Sequence, residues 1–136
     1  MFERQIMMHL RRWKEKSNRK PLVLRGARQV GKTTVINAFG KEFDNYLYFN
    51  LDVDSDRALF ERNIPLDDLI DSLFARLGMR KKKGSTLLFI DEIQNSPQAI
   101  SLLRYFKEKR PDIHVVSAGS LLENVVDVKV SFPVGR

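Results

Sequence analysis

Cysteine is absent from the sequence, which excludes disulfides, thiolate zinc sites and cysteine nucleophiles. Long hydrophobic runs are also absent. Residues 86–90 are far too few to span a bilayer, and the N-terminus lacks the apolar stretch of a signal peptide. We therefore expect no membrane contact and a cytoplasmic location. The two histidines do not form a metal-ligand pattern, because His9 falls in a predicted helix and His114 in a predicted strand.

The residues that are present suit a single globular domain. Of the 136 residues, 43% are hydrophobic and 30% are charged, which is enough apolar matter for a core. The net charge is +7, with basic residues concentrated in 1–20 and 76–83 and acidic residues in 50–72. Basic clusters attract nucleic acid or phosphate ligands, but they are equally typical of a solvated surface. Nucleic acid is therefore one candidate partner.

The hydrophobic pattern indicates alternating strands and helices. Apolar residues at helical spacing predict an N-terminal helix within residues 1–20, which we separate from a core over residues 21–136. Short apolar runs predict buried strands at 22–24, 46–51, 87–90 and 113–116. Helical patterns lie over 32–43, over 66–77 and after Ser96-Pro97. Strands that alternate with helices form a parallel α/β sheet.

A glycine-rich segment between the first predicted strand and the next helix matches the phosphate-binding pattern G-x-x-x-x-G-K-[ST]. Glycine lets the backbone N–H groups turn toward phosphate oxygens, and the positive end of the following helix points at the same phosphates. In this pattern the lysine reaches the β- and γ-phosphates and the threonine hydroxyl binds Mg²⁺. The predicted nucleotide-binding residues are Gly26, Ala27, Arg28, Gln29, Val30, Gly31, Lys32, Thr33 and Thr34.

Two adjacent carboxylates, Asp91 and Glu92, follow the apolar residues 87–90 at the carboxyl end of a predicted strand. Ligands bind at this edge of open α/β sheets. The pattern predicts that Asp91 holds Mg²⁺, commonly through its water shell, and that Glu92 orients and deprotonates the attacking water. Acids at a strand end also cap helices, but the place of these two after the phosphate loop favours the catalytic interpretation.

Three more polar residues lie at predicted strand ends. Ser117 and Ser120 follow the apolar part of the fourth strand, where contact with a γ-phosphate and ordinary strand-to-loop chemistry explain them equally. Asn50 ends the second strand and either pairs with Glu92 to hold it inactive or serves as a turn residue. The guanine-reading motif N-K-x-D does not occur in the sequence, which argues against a GTPase.

The sequence resembles the AAA+ superfamily of P-loop ATPases. It is most similar to a bacterial and archaeal AAA-type family that usually carries a conserved C-terminal domain of unknown function. The resemblance rests on residues 22–34 and 88–94, which contain the two motifs, and three shorter segments agree with it: 103–109, 118–122 and 132–136. It therefore covers nearly the whole chain.

The resemblance implies a role for each matching residue. Lys32 and Thr33 would contact phosphate and Mg²⁺, Asp91 would be the Mg²⁺ carboxylate, and Glu92 would be the catalytic base.

Less specific matches concern four further residues. Ser120 is similar in place to the polar sensor at the end of strand four, with Ser117 as a second candidate. Asn50 is similar in place to the polar switch that some AAA+ proteins direct against the catalytic glutamate. Arg136 is a candidate arginine finger.

These patterns predict a three-layer α/β P-loop core with an N-terminal helix and parallel strands in the spatial order 1-4-3-2, the fifth strand being missing beside strand one. The predicted function is ATP binding with Mg²⁺ and, in the intact protein, hydrolysis that drives a conformational change. The alternatives are a nucleotide-gated nucleic-acid-binding module, a P-loop kinase and a structural relic that binds no nucleotide. The sequence is also compatible with assembly into a homo-oligomer.

We expect residues 1–136 to be the front part of a longer protein, because the helical lid and the C-terminal domain of the similar family have no counterpart in them. With the fifth strand missing, residues 22–24 would form an open edge that invites pairing with another chain. The isolated chain is therefore expected to bind ATP, to hydrolyse it slowly and to self-associate at strand one.

Overall fold

The computed structural model describes residues 2–25, 32–119 and 131–132. Its first half contains α1 (Phe2–Glu15), β1 (Leu22–Arg25), α2 (Lys32–Gly40), β2 (Asn45–Asn50), α3 (Asp54–Phe60) and α4 (Leu66–Arg76). Its second half contains β3 (Thr86–Asp91), a 3₁₀ turn (Ile93–Asn95), α5 (Pro97–Lys109), β4 (Ile113–Gly119) and β5 (Ser131–Phe132). None of the helices in these ranges is long and apolar enough to cross a membrane.

The strands form one parallel sheet in the order β2-β3-β4-β1-β5. The predicted spatial order 1-4-3-2 is thereby confirmed. The register pairs Asn50 with Asp91 and Ile90 with Ser117, while Arg25 pairs with Gly119. All these pairs stand at the carboxyl ends of their strands, so one edge of the sheet collects the polar residues that end its apolar runs.

The expectation of a missing fifth strand is wrong. Ser131 and Phe132 form β5, which pairs in parallel with Val23 and Leu24 of β1. Leu22, Val23 and Leu24 of β1 are buried, and a second neighbour satisfies backbone groups that an open edge would leave unpaired. Two residues are too few to show a strand period in the sequence, so the hydrophobic pattern gave no sign of β5.

Alternate residues of each strand serve two separate cores, one on each face of the sheet. On the α1 and α2 face, β3 contributes Leu87 and Phe89. On the α3, α4 and α5 face, the same strand contributes Leu88 and Ile90. Successive side chains of a strand point to opposite faces of the sheet, and helices cover both faces here. The strands are therefore continuously apolar in sequence. The three layers predicted from the sequence are therefore present.

The N-terminal helix is part of this core. Ile6, Leu10 and Trp13 of α1 are buried in the cluster that also contains residues of β1 and α2, and the Trp13 Nε1 donates to the carbonyl of Lys20 at 2.7 Å. The predicted helical spacing is confirmed for these three residues. The division of the chain at residue 20 stays a prediction, since α1 covers the same face as α2.

Local chemistry at helix starts explains one success and one omission of the sequence analysis. Ser96 caps α5 by accepting a hydrogen bond from the Ala99 backbone N–H, and Pro97 opens the helix, both as predicted. Helix α3 was not predicted, because its seven residues carry too short a hydrophobic pattern. It begins with Asp54 and Asp56 in its first turn, where negative charge stabilises a helix.

Candidate functional site

The two sequence motifs meet at the carboxyl edge of the sheet. Thr33 lies in the first turn of α2, and Asp91 is the last residue of β3. The Thr33 hydroxyl lies 3.4 Å from Asp91 Oδ2, although 58 residues separate the two in sequence. Thr34, the next residue of the predicted loop set, is exposed. The fold thus places a hydroxyl and a carboxylate side by side at the start of the helix that follows the predicted phosphate-binding residues.

Asp91 is held by three neighbours. Its side chain is only 6% exposed, and its Oδ1 accepts the Glu92 backbone N–H at 2.9 Å. Its Oδ2 accepts the Tyr48 hydroxyl at 2.9 Å, in addition to the contact with Thr33. Burial, followed by the negative charge of Asp91, raises the pKa of Tyr48 above its ordinary value, so the phenol keeps its proton and acts as the donor. The carboxylate is therefore fixed in orientation.

These oxygens fit a magnesium ion. Hydroxyl and carboxylate oxygens are hard ligands of the kind that Mg²⁺ prefers. In the part of the chain that the structure describes, no group of three or more His, Cys, Asp or Glu could hold a metal ion. Mg²⁺ at phosphate sites usually takes one or two protein ligands and completes its shell with water and substrate phosphates. Thr33 and Asp91 supply such a small protein set.

Glu92 has an unusual backbone conformation. It has φ 54° and ψ 45° and is, among the described residues, the non-glycine residue with positive φ. A residue other than glycine, asparagine or aspartate in the left-handed region is uncommon and costs energy, and such strain clusters at functional sites. The half-buried carboxylate accepts a hydrogen bond from Gln94 Nε2 at Oε1, over 3.0 Å. Glu92 is thus turned out of the strand and held there.

The remaining described candidates differ in their surroundings. Ser117 is fully buried, and its Oγ has no hydrogen-bond partner among the described residues. Asn50 accepts the Asp52 backbone N–H at Oδ1, over 2.9 Å, which is the local bond expected of a turn residue. This contact agrees with the interpretation of Asn50 as a turn residue. The role of Asn50 as a switch against Glu92 stays a prediction.

Several predicted site residues lie outside the described residues. They are Gly26, Ala27, Arg28, Gln29, Val30, Gly31, Ser120 and Arg136. Lys32 begins α2, but its side chain is not among those described. The described flanks nevertheless fit the phosphate-loop pattern, because β1 ends at Arg25 and α2 begins at Lys32. A strand directly before the pattern and a helix that begins at its lysine are the context that this pattern requires.

Two residues at the site were missed by the sequence analysis. Tyr48 lies in the middle of β2 and looked like an ordinary strand aromatic, because the predicted strand order does not give the register in which β2 pairs with β3. Gln94 stands in the quoted motif segment without a role. A signal existed for Gln94, since it follows Glu92 at a spacing of two, but only the 3₁₀ turn brings its amide back to the carboxylate.

Comparison with known proteins identifies the family and the fold. Residues 18–136 match the AAA domain family. The structure is similar to that of C. elegans PCH-2, with a TM-score of 0.54 and 13% identity, over 95% of this chain and 41% of that chain. It is also similar to Drosophila ORC bound to AT-rich DNA and Cdc6, with a TM-score of 0.48 and 18% identity, over 88% of this chain and 49% of that chain.

The chain therefore spans less than half the length of these two proteins. At 13% identity the likeness to PCH-2 supports the fold alone. No curated protein matches the sequence.

Proposed function

Since the chain belongs to the AAA domain family, we propose that it binds ATP with Mg²⁺ and, in the intact protein, hydrolyses ATP to drive a conformational change. The observation that carries this proposal is the approach of Thr33 Oγ1 to Asp91 Oδ2 at 3.4 Å. This contact joins the phosphate-loop helix to the end of β3, as a nucleotide site at the sheet edge requires.

Phosphate binding falls to residues 26–31, between β1 and α2. In this proposal the backbone N–H groups of residues 26–31 surround the phosphates, and the N-terminus of α2 adds its positive partial charge. Lys32, the first residue of α2, neutralises charge on the β- and γ-phosphates. Thr33 and Asp91 are the residues that would hold the metal ion, which neutralises phosphate charge when it is bound.

Hydrolysis falls to Glu92. Water attacks the γ-phosphorus, its proton passes to the Glu92 carboxylate, and the bond between the γ-phosphorus and the bridging oxygen breaks to leave ADP and phosphate. Two observations support this role. Glu92 directly follows Asp91 in sequence, and the left-handed backbone of Glu92 turns its side chain away from the direction of the strand. A base must lie at a fixed distance from the proton that it removes.

Other residues complete the proposal. Ser120 directly follows β4, and we assign it the role of sensing the γ-phosphate, with the buried Ser117 as a second candidate. Asn50 at the end of β2 is the candidate switch residue, and Arg136 is the candidate finger for the nucleotide of a neighbouring copy in a homo-oligomer. We further propose that residues 1–20 form an N-terminal extension of the ATPase core over 21–136.

A second candidate function is contact with nucleic acid. Arg80, Lys81, Lys82 and Lys83 lie in the loop between α4 and β3, where all four side chains are exposed. Consecutive accessible cations attract phosphate backbones. They lie at the amino end of β3, opposite the proposed nucleotide site. Binding of labelled DNA that weakens steeply with salt, and that is lost when these four residues are changed to Gln, would support this function. Equal binding by the charge-depleted variant would refute it.

The experiment that tests the ATPase proposal is thermal unfolding in the presence of ATP, with and without Mg²⁺. Ligand at a hundredfold excess over Kd stabilises the folded state by about 2.7 kcal/mol, which should raise the Tm by roughly ten degrees for a domain of this size. Lys32→Ala should lose most of this shift without changing the nucleotide-free Tm. Lys41→Ala, at an exposed lysine just after α2, is the matched control and should keep it. Equal shifts in all three proteins would contradict the site.

The role of Glu92 is tested separately. Glu92→Gln should bind ATP within a few fold of the wild type, because the side chain acts on water and not on nucleotide. Its turnover should fall by about 10²–10⁴, the scale of losing a general base. Loss of affinity with a normal rate per bound ATP would show that Glu92 binds substrate instead.

A further inference from the structure

Gln94 connects the proposed catalytic base to the end of the neighbouring strand. It lies in the 3₁₀ turn Ile93–Asn95 that directly follows Glu92. Its Nε2 donates to Glu92 Oε1 at 3.0 Å. A glutamine oxygen in that place would face a carboxylate oxygen with no hydrogen between them, so the NH₂ group must be the one directed at Glu92. The amide therefore has a defined orientation.

The other end of the amide contacts β4. A Cβ built on Gly119, the last residue of β4, would overlap Gln94 Oε1 and lie 3.3 Å from Gln94 Cδ. The same Cβ would lie 3.3 Å from the Ile93 backbone nitrogen. The amide thus occupies the space that a side chain at position 119 would fill, and the lack of a side chain on this glycine lets the 3₁₀ turn pack against the end of β4.

Among the described residues, this arrangement contains one buried polar atom without a partner and one strained backbone conformation. Gln94 Oε1 is buried without a hydrogen-bond donor among the described residues, and a buried acceptor without a donor costs free energy. Glu92, to which the amide donates, has the left-handed conformation described above. An unsatisfied polar atom and backbone strain so close together in sequence are both typical of a functional constraint.

We propose that Gln94 is a positioning residue for Glu92, and that Gly119 is the small residue that admits its amide. Gln94 holds one carboxylate oxygen of Glu92 and thereby sets the direction from which the carboxylate meets the attacking water. Because the same amide rests on the last residue of β4, the base is also tied to the strand that leads into Ser120. This inference rests on the proposed role of Glu92 as the base.

The test compares ATP affinity with turnover in Gln94→Met and Gly119→Ala. Methionine preserves the length and packing of Gln94 but has no donor, and the methyl group that Gly119→Ala introduces displaces the amide. Both variants should lose turnover about ten- to hundredfold, the scale of a misplaced catalytic group, with ATP affinity within a few fold of the wild type. The double variant should be no slower than Gln94→Met, because both changes break one contact. Gln98→Ala, at an exposed glutamine on α5, is the control and should turn over normally.

A second readout needs no turnover. In the nucleotide-free protein, the NMR signal of the Gln94 side-chain amide should move in Glu92→Gln and in Gly119→Ala, while the Gln98 amide signal stays in place. Should Gly119→Ala fail to fold, Gln94→Met and the amide signal still decide the question.

The outcomes separate this inference from the function on which it rests. Normal or raised turnover in Gln94→Met, beside an inactive Glu92→Gln, overturns the positioning role alone. A Gln94 amide signal that does not respond to Glu92→Gln also overturns it. Wild-type turnover in Glu92→Gln overturns the catalytic role of Glu92 itself.

Discussion

His114 should make the folded protein sensitive to acid. Its ring lies on β4 among aromatic side chains, with centroid distances of 5.8 Å to Trp13 and 5.0 Å to Phe43. The Nδ1 lies 3.4 Å from Nη2 of Arg19. Burial, and then the positive charge of Arg19, lower the pKa of His114 from its ordinary value of 6.5 to about 4. The folded protein therefore holds this imidazole neutral at a pH where the unfolded chain protonates it.

The sign and size of the effect follow from this difference in pKa. Between pH 6.5 and about pH 4 the unfolded chain binds a proton that the folded protein does not, so stability rises with pH in this window. The contribution is fully present above pH 6.5 and is lost as the pH falls to about 4. Each tenfold change in proton affinity is worth about 1.4 kcal/mol, so the loss is about 3 kcal/mol. This is a large part of the stability of a typical domain.

Urea denaturation of the wild type and of His114→Phe at several pH values measures the loss. Phenylalanine keeps the ring packing against Trp13 and Phe43 but does not titrate, and other acidic and basic groups are common to both proteins. The free energy of unfolding of the wild type should fall by about 3 kcal/mol more than that of the variant between pH 7 and pH 4. Equal pH dependence in the two proteins, or an NMR titration of His114 with an ordinary pKa, would refute the reasoning.

Three further predictions concern stability and association. Tyr48→Phe removes a hydrogen bond to the buried carboxylate of Asp91 and should lower the free energy of unfolding by about 1–2 kcal/mol; unchanged stability in urea would mean that water replaces the hydroxyl. Ser96→Ala removes the cap of α5 and should cost about 1 kcal/mol, whereas Ser101→Ala, at an exposed position of the same helix, should cost less than half of that. Deleting residues 131–136 removes β5 and uncovers the edge of β1, so light scattering should detect more self-association than in the 136-residue chain. Equal scattering by the two chains would show that β5 does not protect this edge.

The sequence by itself determined the fold class and the main functional motifs. The phosphate-loop pattern and the carboxylates at the end of an apolar run are local, and each is defined by residue types at fixed spacing. Strands covered on both faces appear as continuous apolar runs, so β1, β3 and β4 stood out before any pairing was known. The cap at Ser96 with Pro97 was predictable for the same reason, because the bonds that it makes span three residues.

Only the tertiary structure decided which side chains surround the carboxylates. Tyr48 reaches Asp91 because β2 lies beside β3 with Asn50 opposite Asp91, and no sequence pattern encodes that register. Gln94 meets Glu92 because the backbone of Glu92 itself is in the left-handed region, a conformation that no local pattern predicts for a glutamate. The fifth strand was missed because two residues show no period. The sequence analysis expected the edge of β1 to pair with another chain, and only the structure shows that Ser131 and Phe132 of the same chain cover it.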